Sequence, residues 1–82
     1  MSISNDEIMA GLATIISEEI GIDPETVKVE QTLSGDLDID SLSRLTIATH
    51  AEDTFNVTIP DEEIDSFLTV GDLVEYISSA KA

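Results

Sequence analysis

The chain has 82 residues, 18 of them acidic against 3 basic, and a formal net charge of -15. That length holds a single domain over 1–82, with a small core and no room for a large enzyme cleft. Three bases cannot neutralise a nucleic-acid backbone, no apolar run reaches the about 18 residues of a membrane span, and no cysteine with one histidine leaves no basis for a thiolate or zinc centre.

The first element is read from its ends. Ser4 and Glu7 have the Ser-x-x-Glu spacing of a capping box, and Ile3 and Ile8 stand in the positions of a hydrophobic staple. Ile8, Leu12, Ile15, Ile16 and Ile20 then fall on one helical stripe. Gly21 stands where a helix end takes a left-handed residue, so a helix is predicted over 5–20. Residues 21–40 form a long connection. Within it Asp23-Pro24-Glu25 has the pattern of a cap followed by a proline at the first helical position, which predicts one short turn. Ile22, Val27, Val29, Leu33 and Leu37 are spaced to tack this loop onto the core. Their regular placement argues against disorder in a loop of unusual length.

A second helix is predicted from Asp40 or Ser41 to about Thr54, with Asp40 as its N-cap. On a helical wheel Leu45, Ile47, Ala48, Ala51 and Phe55 share one broad apolar face. Leu42, Thr46, Thr49, His50 and Asp53 lie opposite, so Leu42 points outward. Arg44 falls inside the apolar stripe and is expected to snorkel outward near the helix end. Residues 56–60 read as extended or turn, because the residue before Pro60 avoids helical angles. A short helix over 61–67 would bury Ile64 and Phe67. Thr69 and Asp72 form a second possible capping box, stapled by Leu68 and Leu73. Val70, Leu73, Val74 and Ile77 make the last stripe, to about residue 79. No pair of strands is evident. The expected fold is all-α, a small four-helix bundle of three longer helices and one short one, with a long loop between the first and second helices.

Few residues are arranged for chemistry. His50 lies nine residues after Ser41 on the same predicted helix. That is ~900° of rotation and ~13.5 Å of rise, so the two cannot act as a nucleophile and its base. The carboxylates are so abundant that no single pair is informative, and most belong to a solvated acidic surface. Asp36-x-Asp38-x-Asp40 begins like a calcium loop, but Ser41 replaces the needed glycine and Ile47 the bidentate glutamate. Those three carboxylates crowd together enough for weak divalent binding at most, and no metal site is expected. What remains is Asp40-Ser41-Leu42 at a helix start. A hydroxyl there is well placed for a phosphate, because free N–H groups and the helix dipole favour an anion. On these three residues alone Ser41 reads more readily as a spare capping residue, because serine is common at helix starts.

Longer stretches alter that balance. They are Asp36-Leu37-Asp38-Ile39-Asp40-Ser41-Leu42, then Phe55 through Glu63, then Thr69 through Ile77. In this order and at this spacing, within a strongly acidic chain, they resemble the acyl carrier protein family over nearly the whole length. The resemblance implies a carrier and no enzyme. Ser41 would receive a 4′-phosphopantetheine arm from coenzyme A through a magnesium-dependent phosphopantetheinyl transferase. The arm's thiol would hold acyl groups as thioesters, which suits a chain with no thiol of its own. Partner recognition would fall to Asp36, Asp38, Asp40, Leu42, Glu52, Asp53, Asp61, Glu62 and Glu63, with Leu42 an apolar anchor and Asp40 read by the transferase. Leu45, Ile59, Ile64 and Phe67 would line a space for the acyl chain, although apolar residues at such spacing also make ordinary core. The implied partners are acyl transferase, condensing and reducing enzymes with basic docking patches. A cytoplasmic monomer is expected.

One departure from the family pattern stands out. Carriers of fatty-acid synthesis often have acids on the second helix soon after the serine, and here Ser43, Arg44, Thr46 and His50 occupy that stretch. The alternatives are therefore a carrier for polyketide or another specialised acyl pathway, and, in a different class, an acidic helical adaptor that only binds proteins.

Overall fold

In the computed structural model, which describes residues 4–81, helix α1 spans Asn5–Ile20. Its start is held as its sequence demands: Ser4 Oγ accepts the Glu7 N–H, and the Ser4 hydroxyl donates to Glu7 Oε1 at 3.3 Å. The Ile3 half of the expected staple lies outside the described residues. Gly21 ends the helix at φ 74°, and its N–H and that of Ile22 both donate to the Ser17 carbonyl. The connection contains one 3-10 turn, Pro24–Thr26, capped by Asp23 through the Glu25 N–H. Helix α2 is Ser41–Phe55, the short α3 is Asp61–Ile64 and α4 is Val70–Lys81.

The core is one cluster drawn from all four α-helices and the connecting segments. Ile8, Leu12 and Ile16 of α1 meet Ile47, Ala48, Ala51 and Phe55 of α2 and Val70, Leu73, Val74 and Ile77 of α4. Close approach of α1 to α2 needs a small residue at Gly11, since a Cβ there would stand 2.5 Å from Phe55 Cζ. The α3 segment closes one side with Ile59, Ile64 and Phe67. Phe67 packs edge-on against Tyr76 of α4, with ring centroids 5.5 Å apart.

The long loop is tied down at both levels, side chain and backbone. Val27, Leu33 and Ile39 are buried, and Ile22 and Leu37 are partly buried against the core. Val29, expected among these tacks, is 47% exposed instead. Its backbone explains why: the Val29 carbonyl accepts the Gly71 N–H at 2.9 Å, so the loop is held there by main chain. Leu33 N–H donates to Leu68 O and Val70 N–H to Gln31 O, with Thr32 and Thr69 forming an isolated antiparallel bridge. The loop is thereby stitched to the start of α4. That start is a true capping box, in which Asp72 Oδ2 accepts the Leu68 and Thr69 N–H groups and Thr69 Oγ1 accepts the Asp72 N–H. Leu68 is 70% exposed, so the burial expected of its staple with Leu73 is not made.

Candidate functional site

The start of α2 is built around Asp40. Its backbone is extended, its Oδ1 accepts the Ser43 N–H at 2.8 Å, and its carbonyl accepts the Arg44 N–H at 2.9 Å. Hydrogen bonds from Ser43, backbone and then side chain, hold the Asp40 carboxyl below the usual carboxylate range. The cap is therefore Asp40, and it is ionised at neutral pH. Ser41 is the first helical residue, exposed, and not needed as a cap. That removes the spare-cap reading of its hydroxyl.

The approach to Ser41 is equally constrained. Asp36 is folded back on Thr32: its Oδ2 accepts the Thr32 N–H, and Thr32 Oγ1 accepts the Asp36 N–H, both at 2.9 Å. Asp38 takes the left-handed region at φ 54°, which Asp tolerates better than most residues. Ile39 N–H donates to Leu33 O at 2.8 Å, and the Ile39 side chain is buried. The expected crowding of Asp36, Asp38 and Asp40 is not seen. Asp36 bonds to Thr32 and Asp40 to Ser43, and among the described residues no three His, Cys, Asp or Glu side chains converge as a metal site would require.

Leu42 is 73% exposed next to Ser41, as its place on the wheel requires. Leu45 departs from expectation. Its place on the wheel predicts burial, and the family resemblance implies a part in the acyl lining, yet it is 43% exposed. It lies at the edge of the apolar stripe, about 60° from Leu42, so the two leucines form a small exposed apolar strip. The other candidate lining residues, Ile59, Ile64 and Phe67, are all within the closed core. Arg44 has taken the interior-facing position in the first turn. It does not clear the interior as expected: it is half-buried, and its Nε is buried with no hydrogen-bond partner among the described residues.

The acids divide into two groups. Asp53, Asp61 and Glu62 are exposed, and Glu63 is half-buried. Glu52 is half-buried, and its Oε2 accepts the Ile59 N–H at 2.8 Å, clamping the end of α2 to the segment before α3. That structural duty has no local signal in sequence, because its partner is seven residues away in an irregular segment. His50 is exposed on α2.

The first turn of α2 thus presents an exposed serine outside its own cap, preceded by a stitched loop and followed by an outward leucine. The one histidine, His50, lies nine residues further along α2. The family model described as "Phosphopantetheine attachment site" matches residues 10–77. The acyl carrier protein of Renibacterium salmoninarum is 54% identical over 79 residues, covering 96% of this chain and 98% of that protein. That of Beutenbergia cavernae is 52% identical over 82 residues, the full length of both. The crystal structure of the acyl carrier protein of Thermotoga maritima superposes with a TM-score of 0.81 at 33% identity, over 93% of this chain and 88% of that one. The chain belongs to the acyl carrier protein family, whose phosphopantetheine-bearing members are carriers of acyl groups. Its all-helical fold is the family's fold.

Proposed function

We propose that Ser41 is the attachment residue, and that the chain delivers acyl groups to the enzymes of fatty-acid synthesis. The observation that carries this is the exposed Ser41 hydroxyl at the first residue of α2, left free because Asp40 makes the cap. The residues fit a phosphodiester there. The hydroxyl is open to an incoming enzyme, and the end of the helix favours an anion. A phosphopantetheinyl transferase would supply the base and the magnesium. Attack by Ser41 Oγ on coenzyme A would form the new P–O bond and release the nucleotide half of the coenzyme. When present, the arm supplies the thiol on which acyl groups ride as thioesters.

The protein's own residues would orient and recognise. Asp40 holds the turn and is read by the transferase. Leu42, with Leu45 beside it, inserts into partner surfaces. Asp36, Asp38, Asp53, Asp61, Glu62 and Glu63, with the free oxygen of Glu52, attract the basic patches of acyl transferase, condensing and reducing enzymes. The acyl chain would reach Ile59, Ile64 and Phe67 only if α2 and α3 part. The chain acts as one acyl-carrier domain over 1–82, a monomeric cytoplasmic carrier without catalysis of its own. Among the described residues no helix is long and apolar enough to cross a membrane.

The stretch of α2 from Ser41 to Ala51, which lacks any carboxylate, favours a second reading: a carrier for polyketide or other specialised acyl synthesis. Reconstitution separates the two. The arm-bearing chain, added to dissociated bacterial fatty-acid synthesis enzymes lacking their carrier, should restore chain elongation. Arm attachment without elongation would reject fatty-acid synthesis in favour of the specialised pathway.

A further inference from the structure

Arg44 is the only arginine in the chain, and it stands three residues after Ser41 on α2. Residues so spaced are neighbours on a helix surface, with Cβ atoms about 5–6 Å apart. Long helical side chains generally lean toward the helix N-terminus, which for Arg44 is the direction of the turn that carries Ser41. Arg44 shares the angular sector of Ile47, Ala48, Ala51 and Phe55, and its buried Nε has no acceptor among the described residues. A buried donor without an acceptor is costly, and an anion, a carbonyl-like oxygen or a water would satisfy it.

A cation would add to what the first turn of α2 offers a phosphate on Ser41, because two of its N–H groups are engaged. The Ser43 N–H is already taken by the Asp40 carboxylate and the Arg44 N–H by the Asp40 carbonyl. The adjacent Asp40 carboxylate repels a second anion, and a net charge of -15 makes any nearby cation valuable. A phosphodiester on Ser41 brings unesterified oxygens that match a guanidinium fork. We infer that Arg44 is a positioning residue that hydrogen-bonds and ion-pairs with the phosphodiester on Ser41, holding the base of the arm toward the core-facing side of α2. The inference rests on the proposed attachment at Ser41. Its physical content is that one unsatisfied donor and one uncompensated anion complete each other.

Because the chain has one arginine, a 15N spectrum of it carries one Arg Nε–H signal, and the wild type is its own test. That signal is compared before and after arm attachment, with attachment verified by intact mass. The arm should shift the signal and slow its exchange with water several-fold. In parallel, the 31P signal of arm-bearing Arg44→Gln should move away from the wild-type position, with Arg44→Lys between them. Attachment with an unchanged Nε–H signal, or coincident 31P signals in wild type and Arg44→Gln, overturns the inference. Absence of a mass gain at Ser41 is a different failure, that of the attachment itself, and removes this inference with it.

Discussion

Asp40 and Ser41 are neighbours with separate duties. Asp40 caps α2, and its lowered carboxyl pKa, caused first by the Ser43 backbone N–H, links the cap to pH. A carboxyl whose folded value is lowered stabilises the fold fully above the ordinary carboxylate range, and that contribution is lost as pH falls through the lowered value. Asp40→Ala should therefore melt a few degrees below wild type at pH 7, and the gap should close in acid as pH falls through that lowered value. A gap that persists in acid would detach the cap from the ionised carboxylate. Leu42 is the opposite case. Its side chain is 73% exposed, so Leu42→Ala should leave stability within about 0.5 kcal/mol while weakening binding to a condensing enzyme. Thermal melting and titration against such an enzyme read the two effects separately.

At the scale of elements, the loop matters as much as the helices. Leu33 is 1% exposed, and its N–H bonds to Leu68 O, so it joins the loop to the start of α4. Leu33→Ala should cost about 3 kcal/mol, measured by denaturant unfolding. Gly11→Ala sets the better helix propensity of alanine, about 1 kcal/mol, against overpacking of about 1–3 kcal/mol at Phe55. The expected outcome is a net loss of stability, and a gain would show that Phe55 moves aside freely. The helices were readable in advance because their end signals are local: Ser4, Gly21, Asp40, Thr69 and Asp72 each cap the helix end expected of them. The same holds for Leu42, whose exposure follows from helical phase, whereas Ser41 lies in the phase of the apolar face and is exposed as the first residue of α2. What sequence missed is non-local. Val29 is held by its carbonyl rather than its side chain, Glu52 is engaged with the Ile59 N–H, and Leu45 lies at the stripe edge, where a small rotation decides exposure.

For the whole molecule, charge dominates. With a net -15, the folded state repels itself, and screening relieves the strain. The Debye length shrinks from about 10 Å at 0.1 M salt to about 3 Å at 1 M, so added salt or magnesium should raise the melting temperature. A melting temperature indifferent to both would mean the carboxylates are too dispersed to matter. The same charge should make encounter with basic partner enzymes fast at low salt and slower as salt rises. The central proposal is that this carrier is loaded at Ser41. Intact mass tests it most directly, after incubation with coenzyme A, magnesium and a broad-specificity phosphopantetheinyl transferase, with Ser41→Ala alongside. The wild type should gain one phosphopantetheine group and Ser41→Ala none. A folded, initially unmodified wild type that gains nothing, or a Ser41→Ala chain that gains as much, would contradict loading at Ser41.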